Sequence, residues 1–194
     1  MPARKADPPR CDWSLGVHDD YLAYHDHEWG VPQHDEGRHF EFLVLETSQA
    51  GLNWRTILCK REGYRQAFAG FDPVQVAAFD QAMVETLLTN PAIIRNRRKV
   101  EATIKNARAF LNIQKAFGSF DAYIWGFVEG RAVVNAWQDH KDIPVTTPLS
   151  DAVSKDMKQR GFGFVGSTTI YAHLQAIGVV NDHLVRCFRY RECM

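Results

Sequence analysis

Residues 42–54 read Phe42-Leu-Val-Leu-Glu-Thr-Ser-Gln-Ala-Gly-Leu-Asn-Trp54, an apolar stretch interrupted by a carboxylate at Glu46. One stripe in and just before this stretch consists of Phe40, Leu43, Val44 and Thr47, which recur at intervals of three and four residues. This spacing places them on one face of a helix. The stretch therefore predicts an amphipathic helix with a carboxylate in an apolar setting.

Helical spacing continues along the rest of the chain. The further segments are Trp54–Arg61, a stripe of Met83, Leu87 and Leu88, then Asn96–Ala116, Asp151–Arg160 and Thr168–Gly178. Only residues 131–136 have the pattern of a strand, and they are few. With no internal repeat and no evident linker, the sequence predicts an all-α fold.

Length and composition bound the class of protein. The chain has 194 residues, of which 45% are hydrophobic, and its 23 basic and 23 acidic residues cancel. These values suit one folded domain, which we place at residues 11–194. Residues 1–10 are rich in proline and charge and lack the apolar core of a signal peptide, so we expect a flexible leader there. No apolar run approaches the roughly 20 residues of a membrane helix, so we expect a cytoplasmic monomer that does not contact membranes.

Glu46 and the nearby aromatic residues form a candidate pocket. On the predicted helix, Glu46 has Phe42, Leu43 and Ala50 one turn away, so its carboxylate is at least partly desolvated and needs partners or a chemical task. Five tryptophan and tyrosine residues lie in the first 54 positions, namely Trp13, Tyr21, Tyr24, Trp29 and Trp54. In one interpretation they are core residues, and Glu46 is bonded to an arginine or to a helix N-terminus. In the other they are the walls of a pocket that stacks a planar base.

The C-terminal region offers two metal-ligating residues. His183 and Cys187 are four apart, so a helix over them would place both side chains on one face. Asn181 or Asp182 would cap that helix. The alternative is a core cysteine and a surface histidine whose spacing is accidental.

The other cysteines divide into two kinds. Cys11, together with His25, would complete two cysteines and two histidines, which is a closed tetrahedral zinc site of the structural type. Cys59 lies in a predicted helix and is expected in the core, and Cys193, next to the C-terminus, is expected to be inert. Disulfides are not expected without a secretory signal.

A basic segment joins two predicted helices. It reads Asn90-Pro-Ala-Ile-Ile-Arg-Asn-Arg-Arg-Lys-Val100. A tight connection of this kind exposes backbone N–H groups that suit a phosphate, and its cations add sequence-independent attraction. The candidate DNA backbone contacts are Ile93, Arg95, Arg97, Arg98 and Lys99. The alternative is a solvated basic helix face.

The glycines of Gly161-Phe-Gly-Phe-Val-Gly166 match the dinucleotide-binding pattern literally. That pattern requires a preceding strand, whereas a charged helical segment precedes it here. We therefore expect no nucleotide cofactor. The segment is predicted to be a helix end and a short turn, with Ser167 or Thr168 capping the next helix.

Taken together, these residues resemble the 3-methyladenine DNA glycosylase I family over about residues 10–187. The resemblance is carried by Arg10-Cys-Asp-Trp13, Tyr24-His-Asp-His-Glu-Trp-Gly-Val-Pro32, Glu46-x-x-Gln-Ala-Gly-Leu-x-Trp54, Ile93-Ile-Arg-Asn-Arg97, Gly161-Phe-x-Phe-Val-Gly166 and Asn181-Asp-His-x-x-x-Cys187. Several long motifs in the same order make a chance match improbable.

The resemblance implies a helix-hairpin-helix DNA glycosylase fold with one structural zinc ion that joins the N- and C-terminal segments. It implies that the zinc ligands are Cys11, His25, His183 and Cys187. It also implies that Glu46 reads a flipped base between aromatic walls formed by Trp13, Tyr24 and Trp54, with Tyr21 expected beside them. The expected substrate is 3-methyladenine in alkylated double-stranded DNA, and the expected product is an abasic site, since no lysine is singled out as a nucleophile.

Two positions depart from the family pattern. Ala92 stands where a glycine is usual, and a positive φ there would cost about 1 kcal/mol. Asn53 stands where a serine is common, beside the predicted pocket residue Trp54. Two other functions remain open: a zinc hydrolase, which four protein ligands disfavour, and a non-catalytic zinc-stabilised DNA-binding module.

Overall fold

Helices make up most of the regular structure in residues 7–16 and 18–194, which the computed structural model describes. They are α1 (Asp19–His27), α2 (Glu36–Gln49), α3 (Trp54–Leu58), α4 (Arg61–Ala67), α5 (Pro73–Ala77), α6 (Gln81–Thr89), α7 (Arg97–Phe117), α8 (Phe120–Gly126), α9 (Pro148–Gln159), α10 (Ser167–Ala176) and α11 (Phe188–Glu192). Short 3-10 helices occupy Asp12–Ser14, Ala69–Phe71 and His140–Asp142. The mainly helical architecture predicted from the spacing is confirmed. Within the described residues, no helix combines the length and the apolar character that crossing a membrane requires.

Helix α2 lies at the centre of the fold. Every residue from His39 to Ser48 is buried, including the predicted stripe. The helix packs against α3, α4, α7, α8 and α10. Its buried Glu41 is satisfied by three arginines, Arg38, Arg61 and Arg65, at 2.6–2.8 Å. Because neighbours surround α2 between His39 and Ser48, the polar residues of this stretch, Glu46 included, are removed from water.

The region after Trp54 differs from the prediction of one helix over Trp54–Arg61. The chain turns at residues 59–60, so α3 ends at Leu58 and α4 begins at Arg61. Asn53 caps α3, since its side chain accepts a hydrogen bond from the backbone N–H of Arg55 at 2.8 Å. Cys59 lies at the turn and is exposed, so its expected place in the core is wrong.

The C-terminal half follows the predicted helices with shifted ends. Helix α9 begins at Pro148, earlier than expected, because Thr147 and Ser150 form a reciprocal capping box. A helix precedes the Gly161–Gly166 segment, as predicted. Helix α10 begins directly after Gly166, so neither Ser167 nor Thr168 is its cap.

The expected strand at residues 131–136 is reduced to β1 (Val133–Val134). It pairs in parallel with β2 (Val180–Asn181), with Val133 opposite Val180. This short ladder connects the segment after α8 to the chain that leads into His183.

The end of the predicted leader is attached to the fold. The carbonyl of Pro9 accepts a hydrogen bond from the backbone N–H of Phe188 at 2.9 Å. The guanidinium of Arg10 pairs with Asp26 at 2.9–3.0 Å. A flexible leader over residues 1–10 is therefore wrong for its last residues, while residues 1–6 lie outside those described.

Candidate active site and metal centre

A cleft of about 300 Å³ opens beside α2. Its walls come from α1, α2, α3 and α10, from the 3-10 helices Asp12–Ser14 and His140–Asp142, and from the chain that follows α1. The lining residues are Trp13, Tyr21, Tyr24, Trp29, Glu46, Gln49, Trp54, His140, Ile143, Ala172 and Gln175. All five residues predicted for the base pocket, Glu46 among them, are in this set. The cleft is large enough for one purine-sized ring.

Glu46 is the ionisable group of the α2 wall. Glu46 is 3% exposed, and its Oε2 atom has no hydrogen-bond partner among the described residues. Burial raises the pKa of its carboxyl group to about 8. The arginine or helix N-terminus that a purely structural role would need is therefore absent from the described surroundings of Oε2. An unpaired buried oxygen at a cleft is suited to a ligand that brings its own donor.

Aromatic rings form the other walls. Tyr24 lies 5.3 Å from Trp54 and Trp13 lies 5.3 Å from Tyr21, measured between ring centroids. The indole N–H of Trp54 is buried and has no acceptor among the described residues. Burial and the nearby Glu46 raise the pKa of Tyr24 well above its ordinary value, so its hydroxyl stays protonated. The residues of the cleft thus combine aromatic faces with an unpaired acceptor, Oε2 of Glu46, and an unpaired donor, the indole N–H of Trp54.

Several lining residues were not predicted. Gln49 is one turn after Glu46 and lies in the same motif, so helical spacing alone could have identified it. His140, Ile143, Ala172 and Gln175 are about 100 residues or more away in sequence from Glu46. No local pattern marks these four positions, because Ala172 and Gln175 reach the cleft through the packing of α10 against α2, and His140 and Ile143 come from a separate segment before α9.

The four predicted metal ligands form one buried cluster. The ligating atoms of Cys11, His25, His183 and Cys187 all lie within 4.8 Å of one another. The nitrogen–sulfur distances are 3.5 Å for Cys11–His183, 3.5 Å for Cys187–His25 and 3.6 Å for Cys187–His183. A tetrahedral zinc ion with usual bond lengths has nitrogen–sulfur edges of about 3.5 Å, so the donor set fits that ion.

Both histidines of the cluster are oriented by a second hydrogen bond. The Nδ1 of His25 lies 2.7 Å from Asp26, and the Nε2 of His183 lies 3.0 Å from the carbonyl of Trp29. Metal-ligating histidines usually have such partners on the other ring nitrogen. Each imidazole therefore directs its remaining nitrogen towards the sulfur atoms.

The predicted helix over His183 and Cys187 is not formed. Cys187 precedes α11 as its N-cap residue, and a turn closes with a hydrogen bond from its N–H to the Leu184 carbonyl at 2.7 Å. The expected cap at Asn181 or Asp182 is therefore also wrong. Asn181 accepts from the N–H of His183 at 3.2 Å, and Asp182 bonds to other segments. The ligands meet through this turn rather than through a helix face.

The basic connection between α6 and α7 separates into exposed and buried members. Arg95 and Arg98 are exposed, and Arg97 is exposed but paired with Glu85 at 2.7 Å. The side chain of Ile93 is buried, so only its backbone can face a ligand. The buried Ile93 side chain anchors the connection in the core.

Lys99 does not have the role predicted for it. Its ammonium group donates to the carbonyls of Ser48 and Ala50 at 2.7 Å each, and the residue is 9% exposed. Burial lowers the pKa of this amine. Lys99 satisfies the C-terminal carbonyls of α2, so it is not available to a phosphate.

Ala92 lies in the connection without the strain expected of it. The non-glycine residues with positive φ in the described parts are Ala69, Phe71, Glu129 and Phe164, and Ala92 is not among them. Its neighbour is Gly63 on α4, where an added Cβ would lie 2.4 Å from the Ala92 carbonyl oxygen and 2.7 Å from its Cβ. The absence of a side chain at Gly63 therefore allows this close approach.

Fold and cleft together define a helical protein with an aromatic cleft suited to a planar, hydrogen-bonding ring. The sequence model of the methyladenine glycosylase family matches residues 13–190. The chain belongs to this family, as its motifs predicted.

Named relatives and solved structures agree with this assignment. DNA-3-methyladenine glycosylase 1 of Escherichia coli K12 is 48% identical over 93% of this chain and 96% of its own length. DNA-3-methyladenine glycosylase of Haemophilus influenzae is 44% identical over 92% and 96%. A crystal structure of 3-methyladenine DNA glycosylase I superposes with a TM-score of 0.90 at 48% identity, covering 93% of this chain and 98% of that one. The Staphylococcus aureus enzyme, studied for 3-methyladenine recognition, gives 0.88 at 38% identity, covering 90% and 94%.

Proposed function

We propose that this protein hydrolyses the N-glycosidic bond of 3-methyladenine in alkylated double-stranded DNA after the base is flipped, and leaves an abasic site. The observation that carries this proposal is the unpartnered, buried carboxyl group of Glu46 in an aromatic cleft. The names of the relatives support the same substrate, and one similar structure contains 3-methyladenine.

Glu46 suits a cationic base. Methylation at N3 makes the adenine cationic and a good leaving group, so little acid catalysis is needed. With a pKa of about 8, Glu46 in the free protein is largely protonated at neutral pH. A cation in the cleft favours the ionised carboxylate, since opposite charges lower the pKa of an acid. The carboxylate then accepts from an N–H of the base, and its attraction to the positive charge discriminates against neutral adenine.

The aromatic walls offset the cost of flipping. Extruding a base costs a few kcal/mol, and less for a poorly stacked lesion. Stacking on an aromatic side chain contributes roughly 1–3 kcal/mol per base. Tyr24 and Trp54, 5.3 Å apart, supply such faces beside Glu46.

For the DNA backbone, the connection between α6 and α7 would act as a helix-hairpin-helix element. The backbone N–H groups at the N-terminus of α7, which begins at Arg97, and the exposed cations Arg95 and Arg98 suit phosphates. Arg97 contributes less because Glu85 already pairs with it. This assignment rests on exposure and charge.

We also infer one structural zinc ion per chain, held by Cys11, His25, His183 and Cys187. The spacing of the donor atoms and the closed set of four ligands support it. When bound, the ion would cross-link the N- and C-terminal segments. Four protein ligands leave no position for a reactive water, which argues against a zinc hydrolase.

The direct test is chromatography of the bases released from dimethyl-sulfate-treated duplex DNA. We expect 3-methyladenine in the soluble fraction and intact strands, with no adduct trapped by borohydride. A folded protein that binds the DNA but releases no base would be a non-catalytic binding module and would contradict the proposal.

A further inference from the structure

A second cavity, of about 240 Å³, borders the base cleft, and we call it the side cavity. Its lining residues are His140, Ile143, Pro144, Val145, Thr168, Tyr171, Ala172 and Gln175. The residues that also line the base cleft are His140, Ile143, Ala172 and Gln175. The two cavities therefore share a wall, and the side cavity reaches the surface at Val145, which is 71% exposed.

The α10 side of the shared wall is held in place from behind. The hydroxyl of Tyr171 and the Nε2 of Gln175 both donate to Asp182, which is completely buried. Asp182 also accepts from Asn135 and Trp137, each at 2.7 Å. These bonds use both lone pairs of each carboxylate oxygen, so Asp182 is fully hydrogen-bonded behind the wall.

The lining of the side cavity differs in charge from that of the other cavities. Among the described residues, no carboxylate lines the side cavity. The base cleft and two further cavities do contain carboxylates, which are Glu46, Asp156, and Asp80 with Glu101. The side cavity is therefore the one of these four that does not repel a phosphate from its own walls.

The other lining groups suit a nucleotide backbone. His140 and Thr168 bring an imidazole and a hydroxyl group, and both can donate a hydrogen bond to a phosphate oxygen. Residues 143–145 add an apolar surface, which suits the carbon face of a deoxyribose. On the turn that carries His140, Asp139 is paired with Lys141 at 3.1 Å.

We propose that the side cavity binds the sugar–phosphate backbone beside the flipped nucleotide, with His140 and Thr168 as donors to a phosphate. The inference rests on the proposed function, because it concerns DNA whose base lies in the cleft. A base in the cleft stays joined to a sugar with a phosphate on either side, so backbone must lie close to the cleft. The side cavity shares no residue with the connection between α6 and α7, so it is a separate contact.

Val145→Asp is the first test, because Val145 lines the side cavity and does not line the base cleft. Binding of free 3-methyladenine is followed by quenching of tryptophan fluorescence. Binding of a duplex with a tetrahydrofuran abasic-site analogue is followed by fluorescence anisotropy, both with the full-length protein. We expect at least about tenfold weaker duplex binding, since the new carboxylate repels a phosphate, and a free-base affinity within about twofold of the wild type.

Val74→Asp is the matched control for the added charge. Val74 lies on α5, is 62% exposed and lines none of the four cavities. At physiological salt a remote surface charge is largely screened, so we expect duplex affinity within about twofold of the wild type.

His140→Ala tests the phosphate contact position by position. Neutral methylphosphonate links are placed one at a time on either side of the abasic-site analogue. We expect one link to weaken wild-type binding about tenfold, and the same link to weaken binding by His140→Ala less than about twofold, because the hydrogen bond is already lost. His34→Ala, at an exposed histidine bonded to Asp121, should keep the wild-type pattern.

Duplex binding by Val145→Asp that equals binding by Val74→Asp would overturn the proposal. Equal losses in wild type and His140→Ala at every methylphosphonate position would also overturn it, as would a wild type that does not bind the duplex. Base release from alkylated DNA is measured in parallel. A wild type with the expected backbone contacts that releases no base would refute the proposed function and leave the side cavity as a DNA-binding site.

Discussion

Trp29 contacts His183 in two ways. Its indole ring lies 4.6 Å from the imidazole at an angle of 80°, and its backbone carbonyl lies 3.0 Å from the Nε2 atom. The same indole is part of the cleft wall, and Trp13 similarly lies 5.2 Å from the ring of His25. The Cys/His cluster is therefore packed directly behind the cleft that would hold the base.

Removal of zinc should accordingly weaken both stability and base binding. We expect about one zinc ion per purified chain, and we expect Cys187→Ala to lose it and to unfold at a lower temperature, since structural zinc contributes directly to folding. Elemental analysis, thermal unfolding and 3-methyladenine binding would measure the three effects. Cys59→Ala, at an exposed cysteine, is the control. A metal-free protein of unchanged stability and base affinity would rule out the zinc site.

The stability of the wild type should fall relative to Glu46→Gln as the pH rises. Folding raises the pKa of Glu46 from 4.5 to about 8, so its contribution is full below the lower value and is lost through the higher one. Between a pH below 4.5 and pH 7, the free energy of unfolding of the wild type should fall by at most about 3 kcal/mol relative to Glu46→Gln.

Denaturant unfolding at several pH values between the two pKa values would measure this difference. Glu101→Gln, at an exposed glutamate, should show no comparable trend. A free energy difference between wild type and Glu46→Gln that does not change with pH would show that the carboxyl is not desolvated.

Lys99→Met should destabilise the fold by about 2 kcal/mol or more, because it leaves the Ser48 and Ala50 carbonyls without their donor. Its neighbour Arg98 is exposed, so Arg98→Met should leave stability unchanged. In the helix-hairpin-helix proposal, Arg98→Met instead weakens DNA binding and lowers its salt dependence by about one ion. Denaturant unfolding and salt titrations of DNA affinity separate the two residues. Equal stability losses in both variants would contradict the assignment.

Gly63→Ala should displace the connection between α6 and α7. The new methyl group would lie 2.4 Å from the Ala92 carbonyl oxygen, and backbone atoms there cannot yield without moving the connection. We expect a loss of about 1–3 kcal/mol in stability together with weaker DNA binding. Gly126→Ala, where the added carbon meets nothing within 4 Å, is the matched control. A Gly63→Ala protein as stable as wild type would show that the contact is not tight.

The sequence was sufficient for the features that depend on local pattern. The apolar stripe around Glu46 predicted α2 and the buried carboxylate, and the motifs predicted the Cys/His cluster of Cys11, His25, His183 and Cys187. The family followed from the same motifs. The turn that holds His183 and Cys187 was missed, because an i, i+4 pair reads as helical whether or not the backbone continues as a helix.

Features that depend on distant packing could not be predicted. Lys99 appeared as one cation in a basic segment, and its burial depends on the end of α2, some 50 residues away. The lining role of Gln175 depends on α10 packing against α2. Cys59 is predicted in the core because the apolar spacing does not reveal the break between α3 and α4.

In the proposed reaction, Glu46 acts on a methylated base in the cleft. The most direct measurement is the single-turnover rate of 3-methyladenine release from alkylated duplex DNA by wild type and by Glu46→Gln. We predict that the wild type releases the base and that the rate for Glu46→Gln is reduced at least about 100-fold, with folding and DNA affinity retained. Equal rates for the two proteins would contradict this role of Glu46, as would a folded wild type that releases no base.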